Sequence, residues 1–152
     1  MQLDRAKFRH STRLRVRNYE IDWQGIVHNA NYLLYFETGR IEYLQKLGIK
    51  VDITTIQGDS RVVVARNEID YRSPAKFNEE LEVLTRISYI RNSSFAFEGI
   101  IVESTSGRLI AENVSVHVWL DEKTGVPRRV GDEFRGLVRS FEGVHAIIEE
   151  TG

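Results

Sequence analysis

Two carboxylates and a short run of polar residues stand where a loop gives way to a helix, and their spacing suits acyl transfer. Asp22 sits in Tyr19-Glu20-Ile21-Asp22-Trp23-Gln24-Gly25-Ile26-Val27-His28-Asn29-Ala30-Asn31-Tyr32. Its neighbours Ile21, Trp23, Ile26 and Val27 are apolar, and desolvation strengthens a carboxylate as base or nucleophile. The competing reading is that Asp22 caps a turn, as Asp readily does. A helix beginning near Ala30 leaves the amides around Asn29, Ala30 and Asn31 without intrahelical partners, and such an end stabilises an oxyanion. A carboxylate facing free amides is the minimum equipment for acyl transfer. Glu37 follows three residues after Leu34 and four before Ile41, on the predicted apolar face, where a carboxylate is costly unless paired with Arg40 or used in a site. Both readings of Glu37 stay open.

Composition removes other chemistries. The chain has no cysteine, which excludes a disulfide framework, a thiolate metal site and a cysteine nucleophile. Lys plus Arg number 21 against 22 Asp plus Glu, so a protein whose main task is gripping nucleic acid is not expected. His10, His28, His117 and His145 share no metal-ligand spacing, and no glycine-rich phosphate loop occurs. No metal and no cofactor are therefore expected. The arginine-rich N-terminus is not a secretory signal, and no apolar run approaches the ~20 residues of a membrane span. A cytoplasmic protein with no membrane partner is the expectation.

The elements that must position these groups follow from periodicity. The 152 residues fit one domain, 1–152. Thr12 to Tyr19 alternates as a half-buried strand, and a loop through Gly25 follows. Ala30 to Leu47 reads as a helix capped by Gly48, with Ala30, Leu33, Leu34, Ile41 and Leu44 on one face and Tyr32, Tyr35, Phe36 and Tyr43 widening it; such a helix is predicted to be mostly buried. Strands are predicted over Arg61–Tyr71, Leu81–Ile90, Ser94–Glu103 and Leu109–Leu120. The second turns Leu81, Val83, Ile87 and Tyr89 inward, and the fourth turns Ile110, Val114, Val116 and Val118 inward with Glu112 and His117 outward. Short polar links make them an antiparallel meander. A terminal helix spans roughly Asp132 to Phe141. Since one sheet cannot wrap a helix completely, a homodimer is expected.

The run Asp22-x-x-Gly25-Ile26-Val27-x-x-x-Asn31-Tyr32, followed by Tyr35-Phe36-Glu37 and Arg40, resembles the 4-hydroxybenzoyl-CoA thioesterase-like family of hotdog-fold acyl-CoA thioesterases. Asp70-Tyr71-Arg72-Ser73-Pro74-Ala75 with Glu80-Leu81 resembles a second block of that family, in the same order. The resemblance covers about Leu14 to Leu120. It implies an α+β hotdog fold, an antiparallel sheet wrapped around a long central helix, and dimers joined edge to edge, often assembled into homotetramers, with each active site at a subunit boundary. It further implies that Asp22 attacks the thioester or activates water and that the Asn29 backbone amide holds the oxyanion. Many relatives carry His or Tyr at the position of Asn29, while this chain has His28 just before it. Some acyl-carrier-protein thioesterases of the fold pair an Asn there with a His three positions earlier, where this chain has Ile26.

The first hypothesis is hydrolysis of an acyl-CoA to free acid and coenzyme A, which belongs to the substrate and is not a cofactor. Asp22, Asn29 and Glu37 are its catalytic candidates. Gly25, His28, Tyr32 and Phe36 are assigned to substrate, and Arg91 with Ser93 to the coenzyme A rim, with Arg128 and Arg129 behind. A hydratase or dehydratase acting on enoyl thioesters, using His28 and Glu37, is a second hypothesis, and a non-catalytic acyl-thioester-binding dimer is a third.

Overall fold

The computed structural model describes residues 1–52 and 55–150. Strand β1 (His10–Arg15) leads through a 3-10 turn to helix α1 (Asn31–Lys46). The long strands β2 (Ser60–Tyr71), β3 (Glu80–Ile90), β4 (Ser94–Glu103) and β5 (Leu109–Asp121) follow, then helix α2 (Asp132–Glu142) and the short β6 (Ile147–Ile148). The spatial order is β1-β3-β4-β5-β2, antiparallel throughout, and β6 pairs in parallel with the end of β3. Among the described residues β2 has one strand neighbour, β5, and so forms an edge of the sheet. This is the α+β hotdog arrangement expected from the sequence.

Helix α1 lies against the concave face of the sheet, and two glycines set how close it comes. A Cβ on Gly39 would stand 2.7 Å from Thr85 Oγ1 and 2.8 Å from Val83 Cγ1, and one on Gly99 would stand 2.6 Å from the Phe36 ring. The first half of α1 packs Tyr32, Tyr35 and Phe36 against Leu81, Val83, Ile101, Ile110 and Ala111. The second half packs Tyr43 and Leu44 against Ile87, Ile90, Phe95, Phe97 and Trp119, with Phe134 and Val138 of α2 closing that end. On the convex face Leu3 and Phe8 cover Leu84, Ile100 and Val102.

Four expectations need correction. β1 ends at Arg15, and Asn18–Glu20 is a 3-10 turn rather than strand. α1 is not wholly buried: Leu33, Leu34 and Ile41 are exposed, and the packed stripe runs through Tyr32, Tyr35, Phe36, Gly39, Arg40, Tyr43 and Leu44. In β3 the register shifts between Ile87 and Tyr89, so Ile90 and not Tyr89 turns to the core. The β5 phase is reversed: Ala111, Asn113, Ser115, His117 and Trp119 are buried, while Val114, Val116 and Val118 are only half-buried.

Candidate active site

The loop before α1 is a small hairpin closed by backbone bonds. Ile21 pairs with Val27, the Asp22 amide donates to the Ile26 carbonyl at 2.9 Å, and the His28 amide donates to the Glu20 carbonyl at 2.9 Å. Gly25 turns the hairpin with φ +76°, a conformation that favours glycine. The Val27 amide donates to the Ala75 carbonyl at 2.8 Å and Ala75 N–H donates to the Tyr32 hydroxyl at 3.0 Å. Tyr71 O–H donates to the Asn29 carbonyl at 3.4 Å. The two sequence blocks, one around Asp22 and one from Asp70 to Ala75, are thus one structural unit. Glu20 anchors it to the helix: its carboxylate accepts from Tyr35 O–H at 2.9 Å, and its carbonyl accepts from the Asn31 side chain at 2.8 Å. Burial and this carboxylate push the Tyr35 hydroxyl pKa well up, which keeps it a donor.

At the helix start, the amides of Asn31 and Tyr32 are taken by the carbonyls of His28 and Asn29, at 2.9 and 3.4 Å. Ala30 N–H donates to His28 Nδ1 at 3.2 Å, so His28 acts as a local cap. The Asn29 N–H has no hydrogen-bond partner among the described residues. Asn29 and Tyr32 line a cavity of about 360 Å³ with Ile26, Tyr71, Ser73 and Pro74. Half-buried Asp22 stands in the hairpin, where its Oδ1 accepts the Gln24 amide at 2.8 Å in an Asx turn.

The other candidates separate from this cluster. Glu37 is exposed and makes no ion pair with Arg40 within 4 Å among the described residues, so the expected pair is not formed; burial lowers the Arg40 pKa, and the Glu37 charge offsets only part of that. It lines a second cavity, of about 320 Å³, between the middle of α1, the β2 edge and β5. Phe36 is core, packed on Gly99, and does not line that cavity. Arg91 and Ser93 occupy the β3–β4 turn at the opposite end of the sheet from the hairpin, because β3 runs eleven residues, roughly 33 Å, from Glu80 beside the hairpin end to Ile90. Arg91 stacks over Tyr89 at 4.5 Å and lies 3.9 Å from Glu149; Arg128 pairs with Asp59 and Asp121, and Arg129 with Asp132. Within one chain these cations already have carboxylate partners.

Sequence reasoning missed the polar row on the helix-facing side of β5. His117 donates or accepts at 2.9 Å with Ser115 Oγ and stacks on Phe95 at 5.4 Å. Burial first, and then the Arg40 charge, lower its pKa to about 3, so it is neutral at physiological pH. Asn113 donates to the Asn67 side chain at 2.5 Å and to the Glu68 carbonyl at 2.8 Å. The alternation Asn113-Ser115-His117 against Val114-Val116-Val118 was visible, but apolar was assumed to mean inward. Among the described residues no group of His, Asp and Glu is arranged to hold a metal ion.

Comparison with known proteins agrees with this architecture. The chain is 29% identical over 138 residues to the acyl-acyl carrier protein thioesterase ATL3 of Arabidopsis thaliana, covering 89% of this chain and 72% of that protein. It is 32% identical over 92 residues to the acyl-CoA thioesterase YbgC of Haemophilus influenzae, covering 60% of this chain and 68% of that one. A thioesterase of Thermus thermophilus, solved with coenzyme A and zinc, superposes with a TM-score of 0.76 at 32% identity over 88% of this chain and 93% of its own. The model of the Thioesterase-like superfamily matches residues 16–138, and the chain belongs to that superfamily of thioester hydrolases.

Proposed function

We propose that the chain hydrolyses acyl-CoA thioesters, with the carbonyl oxygen received by the Asn29 amide and water activated, or the carbonyl attacked, by Asp22. The observation that carries this reading is the unpartnered Asn29 N–H at the start of α1, next to the hairpin that holds Asp22. A fixed amide aimed at developing negative charge costs no reorganisation during the reaction. The thiolate of coenzyme A is the leaving group, and the acid is released after one water is consumed. Glu37 has a lesser part in this reading, as a charge at the mouth of the cavity it shares with Arg40.

The working unit in this proposal is a dimer through the β2 edge, where Val63 and Val64 are exposed. Ser60 at its start pairs with Ile56, while from Val62 to Tyr71 no strand of the described residues other than β5 pairs with β2, and such an edge with exposed valines is a template for another strand. Antiparallel pairing of two copies about the middle of β2 brings the Asn67–Tyr71 end of one copy beside the Ser60–Val64 end of the other. The first end adjoins the Asn29 helix start and the second lines the Glu37–Arg40 cavity. Each site is then built from the helix start of one copy and the cavity of the other.

Thiol release measured over short, long and aromatic acyl-CoAs tests the activity. Absence of turnover with any of them, together with tight binding, supports the non-catalytic reading instead. The alternative carrier, an acyl carrier protein, is favoured by the Arabidopsis relative matched over 89% of this chain. The same acyl group presented on coenzyme A and on carrier protein decides between the carriers by kcat/KM.

A further inference from the structure

We infer that the cavity lined by Glu37, Arg40 and His117 selects acyl groups bearing a neutral oxygen, a hydroxyl or a keto group, which the buried Arg40 guanidinium receives as a hydrogen-bond donor. The inference rests on the thioesterase reading above and names the substrate class within it. Arg40 is 8% exposed, and its Nη1 is buried without a hydrogen-bond partner among the described residues. A buried guanidinium left without acceptors is costly, and a site keeps such a group when a ligand supplies the missing acceptor. Arg40 lines both the 320 Å³ cavity and a smaller space beside Asn113. Facing the same region, the inward side of β5 presents His117, 5% exposed, and fully buried Ser115, where a purely apolar acyl chain calls for valines. Phe95, Phe97, Leu44, Ile56 and Val62 supply the apolar remainder of the lining.

Charge decides between a neutral oxygen and a carboxylate. Among the described residues lining this cavity Arg40 is the one cation, against the carboxylates of Glu37 and Asp52. Asp52 is 4.0 Å from Lys50. Glu37 does not touch Arg40, yet its charge acts on the guanidinium across the cavity, and burial keeps His117 neutral. A further carboxylate would leave the cavity net negative, whereas a carbonyl or hydroxyl oxygen meets the donor at no electrostatic cost.

The test compares dodecanoyl-CoA with hydroxy- and oxo-dodecanoyl-CoA in which the oxygen is moved along the chain, and with the ω-carboxy derivative. For the wild type, kcat/KM is expected to favour one oxygenated isomer over the plain acyl group by about tenfold or more, and the ω-carboxy compound is expected to be the poorest. In Arg40→Met that ratio falls to about one, and in Arg40→Lys, which keeps the charge but loses the planar fork, it falls part of the way. If Arg40→Met does not fold, as judged by its melting curve, the Lys variant carries the test. A wild-type ratio near one, a preference for the ω-carboxy compound, or an Arg40→Met enzyme that becomes monomeric with its ratio unchanged overturns the inference; the last assigns Arg40 to contact between copies. Should the wild type cleave no thioester, the thioesterase reading fails by itself. Calorimetric binding of hydroxydodecanoic against dodecanoic acid then tests the cavity alone, with equal affinities overturning the inference and a tenfold preference sustaining it.

Discussion

The two halves of α1 use polar groups in opposite ways. The first half, Asn31 to Phe36, meets a hairpin held by backbone bonds, and its open end leaves the Asn29 N–H unclaimed near solvent. The second half, Gly39 to Lys46, takes Arg40 and Tyr43 into the interior, where Tyr43 O–H donates to the fully buried Glu142 at 2.5 Å and Arg40 lies near His117. Polar groups at the first end are held in place yet reachable; those at the second end are shielded from water. The difference implies that changes at the first end act on rate and changes at the second act on stability or selectivity.

The largest effect expected is at the first end. Asp22→Asn should lower kcat/KM by at least ~10²-fold, the scale of losing a general base. The Asn side chain still accepts the Gln24 amide, so the turn persists and Tm should move by less than about 2 °C. Full activity in this variant would remove Asp22 from the chemistry, and a large loss of Tm with the activity would erase the contrast between the two ends.

The next effect belongs to the second end and depends on pH. The His117 pKa is lowered to about 3 from an ordinary 6.5. Above pH 6.5 the ring is neutral folded or unfolded; below it the unfolded chain takes up a proton that the folded chain refuses, so stability drops as pH falls toward about 3. By pH 5 this linkage costs about 2 kcal/mol. His117→Gln should flatten that part of the stability profile, read by urea denaturation between pH 7 and 5. An unchanged slope would mean that the ring is reachable by water in the folded protein.

Gly39→Ala should cost less, about 1 kcal/mol. The added Cβ meets the β-branched Val83 and Thr85 at 2.8 and 2.7 Å, an overpacking penalty of about 1–3 kcal/mol, offset by up to about 1 kcal/mol of helix propensity. The loss should appear in Tm, with kcat nearly unchanged. A fall in kcat without a fall in Tm would show that the helix position sets the geometry of its N-terminal end.

These positions also mark where the sequence is legible. The helix start was readable because Gly25, the Asn31-Tyr32 helix opening and the Asp70–Ala75 block are local patterns, whereas the loop before the helix proves to be a hairpin, set by backbone bonds that side chains do not announce. The spans of β2 to β5 were readable from their alternation, but β1 ends earlier than its alternation suggested and the two-residue β6 is too short to leave a pattern. The face of α1 was not readable, because Leu33, Leu34 and Ile41 are as apolar as the buried Tyr32, Phe36 and Leu44, and only the glycine at 39 marks the side of close approach. The phase of β5 was misread because three of its inward residues, Asn113, Ser115 and His117, are polar, and His117 lines a cavity. Pairing distances between Glu37 and Arg40, or between Arg91 and Asp22, are tertiary facts that residue spacing does not contain.

The smallest effect expected is at Glu142, whose carboxylate accepts from Tyr43 O–H at 2.5 Å and from the Ile87 amide at 3.2 Å. Burial is the largest influence on it and raises its pKa above the ordinary 4.5, outweighing the two donors and the charges of Arg86 and Arg9. At low pH the group is protonated in both states. As pH rises past 4.5 the unfolded chain releases the proton first, so the group's contribution to stability is lost as pH climbs through the raised folded value. Glu142→Gln keeps an acceptor for Tyr43 and Ile87 and cannot ionise. It should therefore match the wild type at pH 4 and exceed it in stability at pH 8, measured by urea denaturation. The reverse trend, with the wild type gaining on the variant as pH rises, would mean that Arg86 holds Glu142 ionised. The second half of α1 would then rest on a buried charge, and its contrast with the first half would lie in burial alone.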